Sequence, residues 1–213
     1  MTKRVEVQFG KWIDAGFALY RANFLTLVLA AALLVALSSL TLLILLPPLT
    51  AGFILLVLRL IDGESPPPGP AAIFNGFSCF FDALLFMLLW GIIGLTGAFI
   101  LGIFPIVGQV ASLFFSYALH TLLVFSMFLI AERQMNFWRA SLASMAMIQE
   151  NFWPFLGLTI VASVIGTIGA FLFGFGIILT LPIAFCILAV TYRAVFNASA
   201  DTPPDLVRLK TTE

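Results

Sequence analysis

The stretch FLTLVLAAALLVALSSLTLLILLPPLTAGFILLVL, Phe24 to Leu58, decides the fold class: it runs 35 residues without a charged side chain. A helix needs roughly 20 apolar residues to cross the hydrocarbon core of a bilayer, so this stretch holds about two crossings. Pro47-Pro48 breaks it near the middle, and proline starts helices well but interrupts them badly. The stretch therefore reads as a helical hairpin, with spans near 24–46 and 48–62. The second is short, about 22 Å at 1.5 Å per residue.

Two further stretches repeat the pattern. Ala83 to Ala131 runs 49 residues with His120 as its one ionisable side chain, and Asn151 to Tyr192 runs 42. Phe104-Pro105 divides the first of these, and Gly174-Phe175-Gly176 the second, with Pro182 close behind. The expected spans are 83–103, 106–131, 153–173 and 177–195. The prediction is an all-α, polytopic transmembrane bundle of about six spans in three hairpins, forming one domain over residues 1–213.

Composition agrees. The chain is 62% hydrophobic and 9% charged, against about 25% charged in a soluble domain. Ten Lys and Arg balance ten Asp and Glu, so no net field favours nucleic acid. With three hairpins, all ten basic residues fall on or near one side. If the first stretch crossed only once, Arg59, Arg133, Arg139, Arg193, Arg208 and Lys210 would lie opposite Lys3, Arg4, Lys11 and Arg21. The positive-inside rule thus favours the hairpins and places both termini in the cytoplasm. Met1 to Asn23 has no short apolar run closed by a small-residue cleavage site, so the first span reads as an uncleaved anchor. Cys79 and Cys186 fall at different depths, which makes a disulfide between them an unexpected outcome.

The segments ahead of the hairpins are amphipathic. Phe9, Trp12, Ile13, Gly16, Phe17, Tyr20 and Phe24 follow helical spacing, away from Lys11, Asp14 and Arg21. The stripes Phe74, Phe77, Phe81, Leu84 and Trp138, Leu142, Met145, Phe152 follow suit. Such helices are expected in the headgroup region, apolar face down, either as anchors that set the angle of the next span or as membrane-sensing or partner-binding elements. Ser65-Pro66-Pro67-Pro68-Gly69-Pro70 is expected to be an extended spacer. A shift of 128 residues aligns Ala15, Ala18, Asn23 and Phe24 with Ala143, Ala146, Asn151 and Phe152. Pro48 precedes Arg59 by 11 residues, as Pro182 precedes Arg193. Segments 9–62 and 135–197 are thus a possible internal repeat.

Lipid gives no hydrophobic drive for helix association, so small residues and hydrogen bonds must supply it. Gly94, Ala98 and Gly102 lie on one face of span three; Ala162, Gly166, Ala170 and Gly174 lie on one face of span five. These two faces are expected in close backbone contact. Gln109, Ser112, Ser116 and His120 line up on span four, and Thr159, Ser163 and Thr167 on span five. They read as interhelical hydrogen-bonding partners or as the wall of a solute path. Arg59 and Arg193 are expected to snorkel to headgroups, with Asp82, Glu132 and Glu150 at the water boundary.

No HExxH, GxSxG, Walker loop or CxxC occurs, and no cofactor or metal site is expected. The leading expectation is a non-enzymatic membrane protein that acts on lipid or on other membrane proteins, including copies of itself. The alternative is a small transporter or channel subunit using the polar faces of spans four and five.

Residues 132–197 carry a resemblance. ERQMNFWRASLASMAMIQENFWPFLGL and GAFLFGFGIILTLPIAFCILAVTYRAVF place an Asn-aromatic pair at Asn151-Phe152-Trp153 after an amphipathic helix. Gly174 and Gly176, then Thr180 and Pro182, then Tyr192-Arg193 follow. PLTAGFILLVLRLIDGE at 48–64 and IFNGF at 73–77 complete the pattern. It is similar to that of bacterial inner-membrane proteins related to the membrane domain of glycerophosphoryl diester phosphodiesterases. The resemblance implies six membrane helices and no catalytic residues, since the hydrolytic domain of those enzymes is a separate soluble module.

Overall fold

The computed structural model describes residues 9–169 and 176–200, with side chains through Phe196. The described residues are helical throughout, without a strand: α1 (Phe9–Ala22), α2 (Phe24–Leu40), α3 (Leu46–Ile61), a 3-10 segment (Pro70–Cys79), α4 (Phe80–Gly102), α5 (Val107–Leu123), α6 (Ser126–Arg133), α7 (Phe137–Gln149), α8 (Phe152–Ile168) and α9 (Ile177–Ala200). Three runs, 70–102, 107–133 and 177–196, are each long and apolar enough to cross a membrane, and the count rises to five if α1–α2 and α7–α8 each make one bent span. α3 falls below that length, as its 16 residues reach only about 24 Å. It has no need of lipid. Apart from Leu55, every residue from Pro47 to Leu58 is buried inside the protein.

The bends fall at the two asparagines. α1 meets α2 at 89° across Asn23, and α7 meets α8 at 112° across Glu150-Asn151. Asn23 (φ −121°, ψ 28°) and Asn151 (φ −137°, ψ 44°) share one backbone conformation. The starts of α1 and α2 are separated from those of α7 and α8 by 128 residues in each case. The correspondence weakens afterwards, because Pro48 lies in the first turn of α3 while Pro182 sits inside α9.

Each amphipathic segment packs on the helix that ends the preceding hairpin rather than on its own. The 3-10 segment lies against α3, α7 against α5 and α6, and α1 against α9, so the order closes on itself. The α1 stripe expected to face headgroups therefore faces protein: Trp12, Gly16 and Tyr20 are buried, and a Cβ on Gly16 would come within 2.7 Å of the Ile187 side chain. In the other two segments the expected stripes point away from the protein. Trp138 and Leu142 are 49% and 51% exposed, and Phe74, Phe77 and Phe81 are exposed too. Their buried faces are Ala140, Ser141, Ser144 and Ile148 in α7, and Ile73, Gly76 and Cys79 in the 3-10 segment. Apolar side chains gain nothing by leaving lipid, so the small and hydroxyl-bearing side of the helix is the one that packs.

The closest approach in the described structure joins α3 to the 3-10 segment. A Cβ on Gly52 would stand 1.6 Å from the Ile73 carbonyl oxygen, and one on Gly76 would stand 2.0 Å from the Pro48 oxygen and 2.2 Å from the Gly52 nitrogen. Backbone cannot retreat as a flexible side chain can. We predict that Gly52→Ala or Gly76→Ala costs about 3 kcal/mol or more, the upper end of overpacking penalties. Gly10→Ala, with open space around it, should leave thermal stability in mild detergent unchanged.

Span four, expected over 106–131, is present as one apolar run over 107–133, but it is interrupted between the end of α5 at Leu123 and the start of α6 at Ser126. The break frees backbone groups that have no water to bond. Ser144 of α7 takes up both, accepting from the Phe125 N–H at 3.3 Å and donating to the Leu122 carbonyl at 2.8 Å. Ser144→Ala should therefore destabilise by about 1–3 kcal/mol, the cost of buried groups left unpaired. Ser163→Ala should shift the melting temperature little.

Candidate functional site: a cavity with one polar wall

α3, α4, α5, α8 and α9 surround a cavity of about 650 Å³, with α6 across one end. That volume lies within the range of small-molecule sites, roughly 300–1,000 Å³. The small-residue faces of spans three and five meet here, but not as a close contact. Gly94 and Ala98 line the cavity from α4, while Ala162 and Gly166 line it from α8. α4 packs instead on α5, where a Cβ on Gly97 would reach within 2.4 Å of the Phe115 ring, and α8 packs on α9, with Gly166 against Ala184. Gly102 has open space beside it; Ala170 and Gly174 lie outside the described residues. Bulky side chains from α9 and α6, among them Phe185, Leu188, Met127 and Phe128, line the same cavity.

Four of the seven polar residues singled out in the sequence reach this cavity: Ser116 and His120 from α5, and Ser163 and Thr167 from α8. Gln109 is exposed at the start of α5, Ser112 is half-buried, and Thr159 is buried off the cavity. The expected bonds between α5 and α8 are not what these hydroxyls make. Ser116 donates to the Ser112 carbonyl at 2.9 Å and Thr167 to the Ser163 carbonyl at 2.7 Å, each back onto its own helix. Their oxygens remain free to accept from a guest. A hydroxyl that does join helices is Thr180, which donates to the Gly166 carbonyl at 2.8 Å. It belongs to the Thr-x-Pro pattern noted in the sequence.

From α3, α4 and α9, Ile54, Phe86, Met87, Leu181 and Leu188 add hydrocarbon, and Thr50 of α3 adds a further hydroxyl. His120 is the one ionisable residue of the lining. Among the described residues, no three His, Cys, Asp or Glu side chains gather as a metal site. Cys79 and Cys186 are both free and buried.

Below the cavity lies a cluster the sequence reading did not assemble. Arg193, expected to snorkel into headgroups, is instead held by two carboxylates. Its Nη1 pairs with Glu132 Oε1, and its Nη2 with Asp62 Oδ2 at 2.6 Å. The Tyr192 hydroxyl donates to Glu132 Oε2 at 2.5 Å. Arg59 also stays with the protein, 3.6 Å from Glu64. Asp82 accepts from the Phe137 N–H at 3.0 Å, and Gln134 donates to the Ser78 hydroxyl at 3.2 Å. The ends of α3 and α6, the starts of α4 and α7 and the Arg193 turn of α9 therefore meet at a single charge-bearing end. Tyr192-Arg193 stood in the sequence as a boundary pair. Its carboxylate partners lie 60 residues or more away, beyond the reach of local spacing.

The chain matches no family model, no curated protein and no solved structure. The most the fold defines is a helical bundle with the length and apolarity of a membrane protein.

Removing the Glu132 carboxylate would leave the Arg193 guanidinium, 17% exposed, short of a partner. Glu132→Leu is expected to destabilise by about 1–3 kcal/mol, since Arg193 keeps Asp62 but loses one charged partner and the Tyr192 hydroxyl loses its acceptor. Joint replacement, Glu132→Leu with Arg193→Leu, should recover most of that loss in thermal melts.

Proposed function

We propose that this chain is an integral membrane protein of the bacterial inner membrane that works without catalysis, by holding a lipid or similar amphiphile in its central cavity. One observation carries the reading: a single cavity takes its polar side chains mainly from α5 and α8 and hydrocarbon mainly from α3, α4 and α9. Ser116, His120, Ser163 and Thr167 suit a hydrogen-bonding headgroup, and Ile54, Phe86 and Leu188 suit a chain. A path for ions would need polar groups all round. The resemblance to the membrane domains associated with glycerophosphoryl diester phosphodiesterases agrees with a protein whose business is lipid. α4, with only Ala83 buried, would face acyl chains or a partner membrane protein.

Protein purified in mild detergent should carry a lipid-mass adduct in native mass spectrometry. Gly91→Trp places bulk on a lining residue whose Cβ would meet nothing within 4 Å, so it should fold and lower the bound fraction at least tenfold. A parent protein that carries no amphiphile and takes up no fluorescent fatty-acyl probe would end the proposal. The presence of His120 and three hydroxyls on one wall supports the second reading, a transporter or channel subunit. Solute flux in reconstituted vesicles, lost in His120→Ala, would favour it.

The charge-bearing end is assigned to the cytoplasm by the positive-inside rule. Reporters placed after Glu64 and at the C-terminus should both read cytoplasmic.

A further inference from the structure

The floor of the cavity and the ion-pair cluster are built on one short helix. α6 has eight residues and is cut from α5 at Val124-Phe125. Phe128 and Glu132 are four apart on it and therefore share a face. Phe128 lines the cavity and is 2% exposed, and its ring stacks on Tyr192, with centroids 5.1 Å apart and planes at 26°. One turn further on, Glu132 binds Tyr192 and Arg193, and Arg193 binds Asp62. From the cavity outward the order is thus an aromatic plug and then a charged lock. The lock joins α6 to α9 and to the end of α3.

Two features suit this layer to opening. The α5–α6 break is a ready hinge, because freed backbone groups there bond a side chain, Ser144, rather than the helix itself, and discontinuous helices are what border the binding sites of many transport proteins. The lock is also incompletely satisfied, since Arg193 Nε is buried with no hydrogen-bond partner, and its carboxylates are partly exposed, Glu132 at 25% and Asp62 at 50%.

We infer that α6 is the cytoplasmic gate of the cavity, and that the protein passes its amphiphile between the cavity and the charge-bearing face when the Asp62–Arg193–Glu132 lock releases. The inference rests on the cavity being an amphiphile site. Plug and lock move together because Phe128 and Glu132 both belong to α6.

The test reads access to the cavity directly. Ser163→Cys puts a thiol on the polar wall, and a membrane-impermeant maleimide is applied to inverted vesicles, whose outer surface is the cytoplasmic face. Labelling should be slow with the lock intact and at least tenfold faster when Glu132→Gln or Asp62→Asn is added. The two native cysteines, both buried, set the background. Asp62, half exposed, is the variant that decides if Glu132→Gln fails to fold. Unchanged labelling in an Asp62→Asn protein that keeps the parent's melting temperature would overturn the gate. Bound lipid is measured on the same preparations. Bound lipid with unchanged labelling removes the gate and leaves the cavity's occupant standing. Faster labelling with no bound amphiphile keeps the gate and overturns the amphiphile as its cargo.

Discussion

Backbone groups surrounded by hydrocarbon have to find their partners inside the protein, and the course of the chain around Ser144 follows from that requirement. The fourth apolar run is long enough to cross as one helix, yet it breaks after Leu123. It can do so only because a hydroxyl from α7 stands where the missing helical bonds would be. Beyond the break, α6 lines the cavity with Met127 and Phe128, and its far end carries Glu132 to Tyr192 and Arg193. α7 has to be buried on its small, hydroxylic face to offer that serine, which leaves Trp138 and Leu142 exposed on the outside of the protein.

The same economy governs the other contacts. Where two helices come closest the residues are glycines, Gly52 and Gly76 foremost, with carbonyl oxygens and amide nitrogens in the space a Cβ would fill. Dispersion at short range and hydrogen bonding replace the hydrophobic drive that lipid removes. The cyclic order, in which each amphipathic segment lies on the preceding hairpin and α1 returns to α9, spreads these contacts around the molecule. The helices it binds together surround a cavity lined in part by bulky side chains from α6 and α9.

Much of the architecture was legible locally. Three uncharged runs and their Pro and Gly interruptions gave the apolar helices and their order; the sharp bends at Asn23 and Asn151 were not foreseen. The polar set Ser116, His120, Ser163 and Thr167 was legible for the same reason, because helical spacing reports which residues share a face. Which stripe would pack on protein was not. All three were expected to face headgroups; those at Phe74–Phe81 and Trp138–Leu142 do point away from the protein, whereas that of α1 packs on α9. Likewise, the four-residue spacing of Gly94, Ala98, Ala162 and Gly166 identified faces that matter, yet not whether they would touch or stand across a gap.

Length and apolarity are properties of a single run of residues, so the long apolar helices could be read from the chain before any contact was known. Tertiary packing alone brought Glu132, Arg193 and Asp62 into one contact, set Phe128 on Tyr192 and left a cavity beside them. Those are pairings across 60 residues or more of chain. They depend on the angles at which helices cross, which the packing of many side chains sets together.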